Sequence, residues 1–182
     1  MADNIEGLKL IQTRTFFDHR GYFRETYRSN GFLDITGLDM EFVQDNESLS
    51  KSVGVLRGLH FQRPPHTQAK LIRVVSGSIF DVAVDLRPSS PTFKEWRSFE
   101  LSSENGLQLF VPGGFAHGFC TLSENTVVTY KVSDYYSPEC DGGVRWNDPE
   151  LAVAWPLADK DIIVSEKDAA LPLLAQLDPM EW

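Results

Sequence analysis

The chain has 182 residues, 42% of them hydrophobic and 24% charged, which is typical of a globular protein with one sizeable core. Its net charge of −9 at pH 7 argues against a surface that binds nucleic acid or an anionic membrane. An anionic ligand would therefore need a local group of cationic side chains. We expect residues 1–182 to form a single domain.

The N-terminal part of the chain is predicted to contain two strands and a turn. The strands fit residues 5–12 and 22–28, and the turn between them fits residues 18–21, which contain turn-forming Asp and Gly. Residues 30–39 fit a short helix or a loop. Residues 44–48 are polar, and we expect them to form a loop.

The middle of the chain is predicted to be rich in strands. Apolar and polar residues alternate over residues 79–86 with the period of a half-buried strand. Strands also fit residues 71–75, 107–111, 119–122 and 126–132, and Gly- or Pro-containing breaks separate them. Many short strands with such breaks indicate an antiparallel sandwich or barrel.

Only the C-terminal tail is predicted to be helical. Ser165 and Asp168 have the S-x-x-D spacing of a helix N-terminal cap, and Pro172 argues against a long helix. The predicted fold class is therefore mainly β with short C-terminal helices.

The compartment is predicted from the cysteines and the N-terminus. Cys120 and Cys140 lack the spacing of a metal or redox site, and residues 1–6 lack the basic and apolar regions of a secretory signal. No apolar run approaches the roughly 18 residues that cross a bilayer. We expect a cytoplasmic protein with reduced cysteines and no membrane partner.

Two segments match the motifs of the cupin superfamily of small jelly-roll barrels. Residues 54–62 place His60 and Gln62 at the two histidine positions of the first motif, G-x5-H-x-H. Residues 106–121 match most of the second motif, including its histidine, His117. The resemblance implies a double-stranded β-helix barrel with His60 and His117 facing one interior cavity.

The departures from the first motif argue against a metal site. Metal-binding cupins have a second histidine and a glutamate where this chain has Gln62 and Lys70. An ammonium group repels a divalent cation at short range, and two imidazoles are too few for a typical site. We therefore expect neither a metal ion nor another cofactor. A lysine that faces a histidine suits a substrate on which negative charge develops.

Over nearly its whole length the chain resembles the dTDP-4-dehydrorhamnose 3,5-epimerase (RmlC) family of cupins. The segments that carry the resemblance are residues 17–25, 43–48, 56–62, 81–87, 112–119, 130–136 and 146–149. It implies inversion of C3 and C5 in dTDP-4-dehydro-6-deoxy-D-glucose, which yields dTDP-4-dehydro-L-rhamnose for dTDP-L-rhamnose biosynthesis. Both carbons flank the C4 ketone, so one base and one enolate-stabilising cation can serve both.

The resemblance also assigns the catalytic roles. His60 would be the base, Asp168 its carboxylate partner, Lys70 the cation near the C4 oxygen, and Tyr130 the acid on the opposite face. Each residue has a simpler interpretation from the sequence alone. Asp168 would cap a helix, Lys70 would be a solvated lysine at a strand end, and Tyr130 would lie in the core.

Further residues are assigned by resemblance to substrate binding. Most carry the charge, hydrogen-bonding groups or aromatic rings that suit a nucleoside diphosphate: Arg20, Phe23, Glu25, Gln44, Asn46, Arg57, His117, Tyr136, Asp141 and Lys167. Phe23 and Tyr136 are the candidates for contact with thymine. Asp141 is shorter than the glutamate common at its position, and His117 could also be a buried structural histidine. The family forms homodimers, so Arg20, Phe23 and Glu25 could serve the partner's pocket.

Four alternatives remain open from the sequence. The chain could invert only C3 or only C5 in another dTDP-deoxysugar pathway, or it could be a 3,4-ketoisomerase on the same barrel. It could instead bind a sugar nucleotide without catalysis. A metal-dependent cupin dioxygenase is the fourth alternative, and it requires a bound transition metal.

Overall fold

The computed structural model describes residues 5–178 and 180–182. Its strands are β1 (Lys9–Gln12), β2 (Thr15–Asp18), β3 (Gly21–Arg24), β4 (Gln44–Ser50), β5 (Leu56–Gln62), β6 (Lys70–Ser76), β7 (Ser78–Asp85), β8 (Trp96–Ser102), β9 (Leu107–Val111), β10 (Phe115–Thr121), β11 (Thr126–Val132) and β12 (Asp141–Gly143). The α-helices are α1 (Ser29–Thr36) and α2 (Glu166–Ala169), and short 3₁₀ helices span Asp159–Asp161 and Leu174–Gln176.

Two five-stranded antiparallel sheets pack against each other. The first has the order β1-β9-β6-β11-β4 and the second the order β12-β5-β10-β7-β8, while β2 and β3 form a separate hairpin. Ile72 and Leu109 of the first sheet pack with Ile79 and Phe119 of the second in one buried cluster. This arrangement confirms the predicted mainly β, cupin-type jelly roll with short C-terminal helices.

The outer faces of the sheets are covered by other parts of the chain. Phe32 of α1 packs with Leu71 and Phe110 on the first sheet. C-terminal side chains from residues 144–178 and 180–182 pack on the second sheet, where Leu59 and Val82 are fully buried. The expectation of a half-buried strand over residues 79–86 is therefore wrong, because β7 is buried on both faces.

The polar segment 44–48 does not form the expected loop. It belongs to β4, which pairs along its whole length with β11 at the edge of the first sheet. Its sequence QDNESLS lacks the β-branched and aromatic residues that favour strands, so tertiary pairing overrides local propensity.

The N-terminal strands are shorter and paired differently than predicted. The partner of β3 across the turn is β2, whereas β1, within the predicted strand 5–12, pairs with β9. β8 and β12 were not predicted. The expectation that residues 1–6 lack a secretory signal falls mostly on residues 1–4, which lie outside the described residues.

The short helices follow their predicted signals. α1 takes the helical alternative for residues 30–39, and it is followed by the cap residue Gly37, whose positive φ of 73° suits glycine. The backbone N–H of Asp168 donates to the Ser165 side chain at the start of α2, which confirms the S-x-x-D cap.

Cys120 and Cys140 are buried and free. Within residues 5–178 and 180–182, no helix is long and apolar enough to cross a membrane.

Candidate active site

Two adjoining cavities inside the barrel bring most of the predicted site residues together. The larger cavity, of about 530 Å³, is bordered by Arg57, His60, Lys70, His117, Tyr130, Lys167 and Asp168, among others. The smaller cavity, of about 240 Å³, shares His60, Lys70, Tyr130 and Lys167 and adds Gln44, Asn46, Tyr136 and Asp141. Eleven of the fourteen predicted residues therefore border these two cavities, which share four lining residues.

His60 and His117 lie opposite each other on the paired strands β5 and β10. The register of this pair shifts between His117 and Phe119, and Gly58 lies at the shift with a φ of +134°. A Cβ atom on Gly58 would lie 2.5 Å from the Cα atom of Gly118, so the two strands approach closely only because both residues are glycine. The bulge thus positions both imidazoles next to the cavity.

The His60 side chain pairs with the carboxylate of Asp168. His60 Nε2 lies 2.8 Å from Asp168 Oδ1, and the Gly58 N–H donates to Asp168 Oδ2 at 3.4 Å. The N-terminal cap of α2 is formed by the backbone N–H of Asp168, which donates to the Ser165 side chain at 3.0 Å, whereas the carboxylate pairs with His60. The capping and catalytic interpretations of Asp168 are therefore compatible.

The segment before α2 fixes the position of Asp168. Ile163 N–H donates to the Gly54 carbonyl, and Leu56 N–H donates to the Ile163 carbonyl, both at 2.8 Å. These two bonds join the C-terminal segment to the start of β5. They bring Asp168 to His60 although the two residues are far apart in sequence.

The pKa of Asp168 is lowered overall. Burial raises this pKa, but hydrogen bonding and charge at His60, together with the Gly58 N–H and the Ser165 hydroxyl, outweigh the burial. Asp168 is therefore a carboxylate at neutral pH and accepts a hydrogen bond from His60. The Nε2 atom of His60 then carries the proton, and the lone pair of a neutral imidazole lies on Nδ1.

Lys70 begins β6, and its ammonium group lies in the cavity wall rather than in solvent. It lies on the inner face of β6 together with the buried residues Ile72 and Val74, and its Nζ atom is 3.5 Å from the His60 carbonyl oxygen. Burial lowers the pKa of Lys70 to about 8, although Asp141 and Asp81 act in the opposite direction. The group is still mostly cationic at pH 7.

Tyr130 lies on the inner face of β11 between Val128 and Val132, and it borders both cavities. Burial raises the pKa of its phenol, while the nearby Arg57 has the opposite effect. The phenol is therefore a proton donor at neutral pH. Arg57 itself donates to the Ser50 hydroxyl at 3.2 Å and to the Leu49 carbonyl at 3.1 Å.

His117 forms a second histidine–aspartate pair. Its Nε2 atom lies 2.8 Å from Oδ1 of Asp81, which is fully buried on β7. Among the described residues, Asp81 Oδ2 and the Ser48 hydroxyl are buried polar atoms without a hydrogen-bond partner. Sequence reasoning missed Asp81 and Ser48. Only the register of β7 on β10 joins Asp81 to His117, and the sequence carries no signal for it.

Charged and aromatic side chains meet at the border of the smaller cavity. Asp141 Oδ2 accepts a hydrogen bond from Lys167 at 2.6 Å and from the Tyr136 hydroxyl at 3.3 Å. The bond to Asp141 raises the pKa of Lys167. Gln44 donates to the Asn46 side chain at 2.7 Å. The aspartate reaches both neighbours despite being shorter than glutamate.

Three predicted residues lie away from these cavities. Arg20 is exposed at the tip of the β2–β3 hairpin, where it pairs with Asp18. Phe23 is 69% exposed, and Glu25 pairs with Arg28 at 3.3 Å. This chain alone does not bring the three residues to His60.

The two remaining histidines are exposed at the surface. His19 lies in the hairpin turn, and His66 is exposed with its Nδ1 atom 3.0 Å from Asp134 Oδ2. Neither borders the two cavities.

Comparisons with known proteins identify relatives over most of the chain. The sequence profile of the dTDP-4-dehydrorhamnose 3,5-epimerase family matches residues 2–176. A dTDP-4-dehydrorhamnose 3,5-epimerase from Sinorhizobium fredii is 51% identical over 174 residues, which cover 96% of this chain and 88% of that protein.

Solved structures of similar proteins have the same fold. The structure of a dTDP-4-dehydrorhamnose 3,5-epimerase from Bacillus anthracis, solved with TDP and PPi bound, matches this chain with a TM-score of 0.89 and 54% sequence identity. The match covers 92% of this chain and 94% of the Bacillus chain. A 3,5-epimerase from Legionella pneumophila, in complex with dTDP-4-keto-L-rhamnose, has a TM-score of 0.92 and 44% identity, covering 98% and 95%.

Proposed function

The chain belongs to the dTDP-4-dehydrorhamnose 3,5-epimerase family, and on this basis we propose that it inverts C3 and C5 of dTDP-4-dehydro-6-deoxy-D-glucose. The product is dTDP-4-dehydro-L-rhamnose, an intermediate toward dTDP-L-rhamnose. One observation carries the proposal: the His60–Asp168 pair, Lys70 and Tyr130 all border one cavity. A base, a cation and an acid are the groups that inversion next to a ketone requires.

The first step is proton abstraction by His60. Its Nδ1 lone pair takes the proton from the carbon next to the C4 ketone, and the electron pair of the C–H bond moves to the C4 oxygen. Asp168, ionised at neutral pH, stabilises the imidazolium that forms. The Gly58 N–H keeps the carboxylate in place.

The enolate is stabilised by Lys70 and reprotonated by Tyr130. The ammonium of Lys70 lies in a poorly solvated wall, where its charge acts more strongly on the C4 oxygen than it would in water. The phenol of Tyr130 gives its proton to the carbon from the face opposite His60, and the ketone re-forms. Proton exchange with solvent then restores both residues, and the second carbon follows by the same steps.

The nucleotide is held by the residues around the two cavities. Gln44, Asn46 and Lys167 supply polar groups, and Arg57 suits a diphosphate because its guanidinium donates two parallel hydrogen bonds. His117, which borders the larger cavity, contacts the sugar there. The Tyr136 ring, which is 56% exposed at the border of the smaller cavity, stacks on the thymine.

The assembly we propose is a homodimer that completes each site with the partner's hairpin. Arg20, Phe23 and Glu25 do not border the two cavities around His60 in their own chain, and the hairpin exposes Phe16, Phe17 and Tyr22. Exposed apolar groups of this size favour burial against another surface. A cytoplasmic location agrees with the two free, buried cysteines.

The proposal is tested by turnover in D₂O with identification of the product by NMR. Double inversion incorporates solvent deuterium at both C3 and C5. Incorporation at a single carbon would instead indicate a monofunctional epimerase. Binding of dTDP with no incorporation would indicate a non-catalytic protein.

A further inference from the structure

Gln62 lies two residues after His60 on β5, on the same face of the strand. Its side chain is almost fully buried, with 4% exposure, and it borders the smaller cavity together with Tyr136 and Asp141. A buried amide is costly unless its donors and its acceptor are used. Its partners therefore indicate what the residue does.

The Gln62 amide is bonded to the backbone of two loops. Its Nε2 atom donates to the His66 carbonyl at 2.7 Å and to the Tyr135 carbonyl at 3.1 Å. Its Oε1 atom accepts from the Ser137 N–H at 2.8 Å. Two carbonyls and one N–H match the two donors and the acceptor of a primary amide, so these partners fix its orientation.

These bonds lie on both sides of Tyr136. Tyr135 precedes it, Ser137 follows it, and both are tied to the same side chain. Because Tyr136 is 56% exposed, packing constrains its ring weakly, and the position of the ring depends on the backbone that carries it and on the single hydrogen bond from its hydroxyl to Asp141. The third bond, to His66, connects this backbone to the loop between β5 and β6.

We propose that Gln62 is a positioning residue for nucleotide binding, because its amide holds the backbone on both sides of Tyr136 and so orients that ring for the base. The inference rests on the proposed function, since it takes Tyr136 as the residue that contacts thymine. Gln62 acts through Tyr136 and not on the reacting carbons. Preorganising the ring lowers the entropy cost of ordering it when the nucleotide binds.

Two substitutions of similar size remove these bonds in different ways. In Gln62→Met an apolar side chain fills the space and leaves two carbonyls and one N–H without their partner. In Gln62→Glu a carboxylate faces the carbonyls of His66 and Tyr135 with no hydrogen to donate. Both variants free the Tyr136 backbone. Neither replaces His60, Lys70 or Tyr130, and Gln62→Met also adds no charge to the cavity that these residues border.

The test measures dTDP affinity and turnover in both variants. We expect the Kd for dTDP and the KM for the sugar nucleotide to rise roughly tenfold, with kcat at saturation within about threefold of wild type. A retained kcat also reports an intact barrel. An unchanged Kd, or a fall in kcat without a rise in KM, would overturn the proposal.

A double-mutant cycle with Tyr136→Ala separates positioning from a general loosening of the structure. We expect Gln62→Met to add less than about twofold to the Kd once Tyr136 is alanine, because the group it positions is absent. Independent, multiplicative losses would contradict the inference. If Gln62→Met does not fold, Gln62→Glu enters the same cycle. If the proposed function itself is wrong, the wild-type protein incorporates no deuterium into the sugar in D₂O. This result is distinct from every outcome of the Gln62 cycle.

Discussion

Asp168 Oδ1 lies 2.8 Å from His60 Nε2, although 108 positions separate the two residues in sequence. The four-residue helix α2 carries Asp168, and the backbone bonds of Ile163 to the start of β5 bring that helix to His60. The pair therefore depends on how the C-terminal segment packs on the second sheet. Catalysis should be sensitive to changes on either side of that contact.

The Asp168–His60 pair predicts the effect of Asp168→Asn. The amide oxygen and nitrogen keep the shape of the carboxylate, but the negative charge that stabilises imidazolium is lost. We expect kcat to fall by about 100-fold or more, with the Kd for dTDP within a few-fold of wild type. Steady-state kinetics and calorimetric titration with dTDP measure the two quantities. Glu166→Gln on the same helix is the matched control, and an equal loss of kcat in the control would contradict the prediction.

The lowered pKa of Lys70 predicts how activity depends on pH. The ammonium form is present below a pKa of about 8 and is lost as the pH rises through that value. We expect kcat/KM to decrease above pH 8. Asp168, with its lowered pKa, stays ionised through the neutral range.

The Lys70→Arg variant isolates the origin of this alkaline decrease. Arginine remains charged throughout the accessible range, so the decrease near pH 8 should disappear even if kcat is lower. A profile that keeps the same decrease in Lys70→Arg would assign the titration to another group.

Tyr130→Phe should separate proton abstraction from inversion. The raised pKa of this tyrosine keeps its phenol protonated, so its removal takes away the acid but leaves the His60 base. We expect product formation to fall about 100-fold or more, whereas exchange of substrate C–H for deuterium falls by less than about tenfold. NMR in D₂O follows both rates. Equal losses would show that Tyr130 is not the acid.

The bulge between β5 and β10 predicts a difference between two glycines with the same φ. Gly58 and Gly21 have φ values of 134° and 133°, but a Cβ atom at Gly58 would lie 2.5 Å from Gly118 Cα, whereas at Gly21 nothing lies within 4 Å. We expect Gly21→Ala to lower the free energy of unfolding by about 1 kcal/mol and Gly58→Ala by about 3 kcal/mol or more. Chemical denaturation measures both. Equal destabilisation would mean that strained φ, and not crowding at the bulge, determines the cost.

The sequence predicts strands well where their inner side chains build the core. β6, β7, β9 and β11 all contribute side chains to the buried core, and all four are predicted near their observed positions. β4 has the same geometry, but Gln44, Asn46 and Ser48 on its inner face border the cavities. Its polar sequence therefore predicts a loop. A strand whose inner face lines a polar site lacks the apolar face by which strands are predicted from sequence.

Sequence motifs predict those residues of the candidate site that lie within the short motifs themselves. The cupin spacing predicts that His60 and His117 face one cavity. The departures at Gln62 and Lys70 argue against a metal site, and the lysine predicts a substrate on which negative charge develops. The contact of Asp81 with His117 depends only on strand register. The absence of Arg20 from the cavities of its own chain is likewise a tertiary feature that local patterns do not encode.

The central claim is that one base, His60, serves both carbons next to the ketone. Its most direct test is the deuterium content at C3 and at C5 after incubation of His60→Ala with the sugar nucleotide in D₂O. We predict that exchange is abolished at both carbons while the Kd for dTDP stays within a few-fold of wild type. Exchange that continues at either carbon at near wild-type rate would contradict the claim, because it would require a second base.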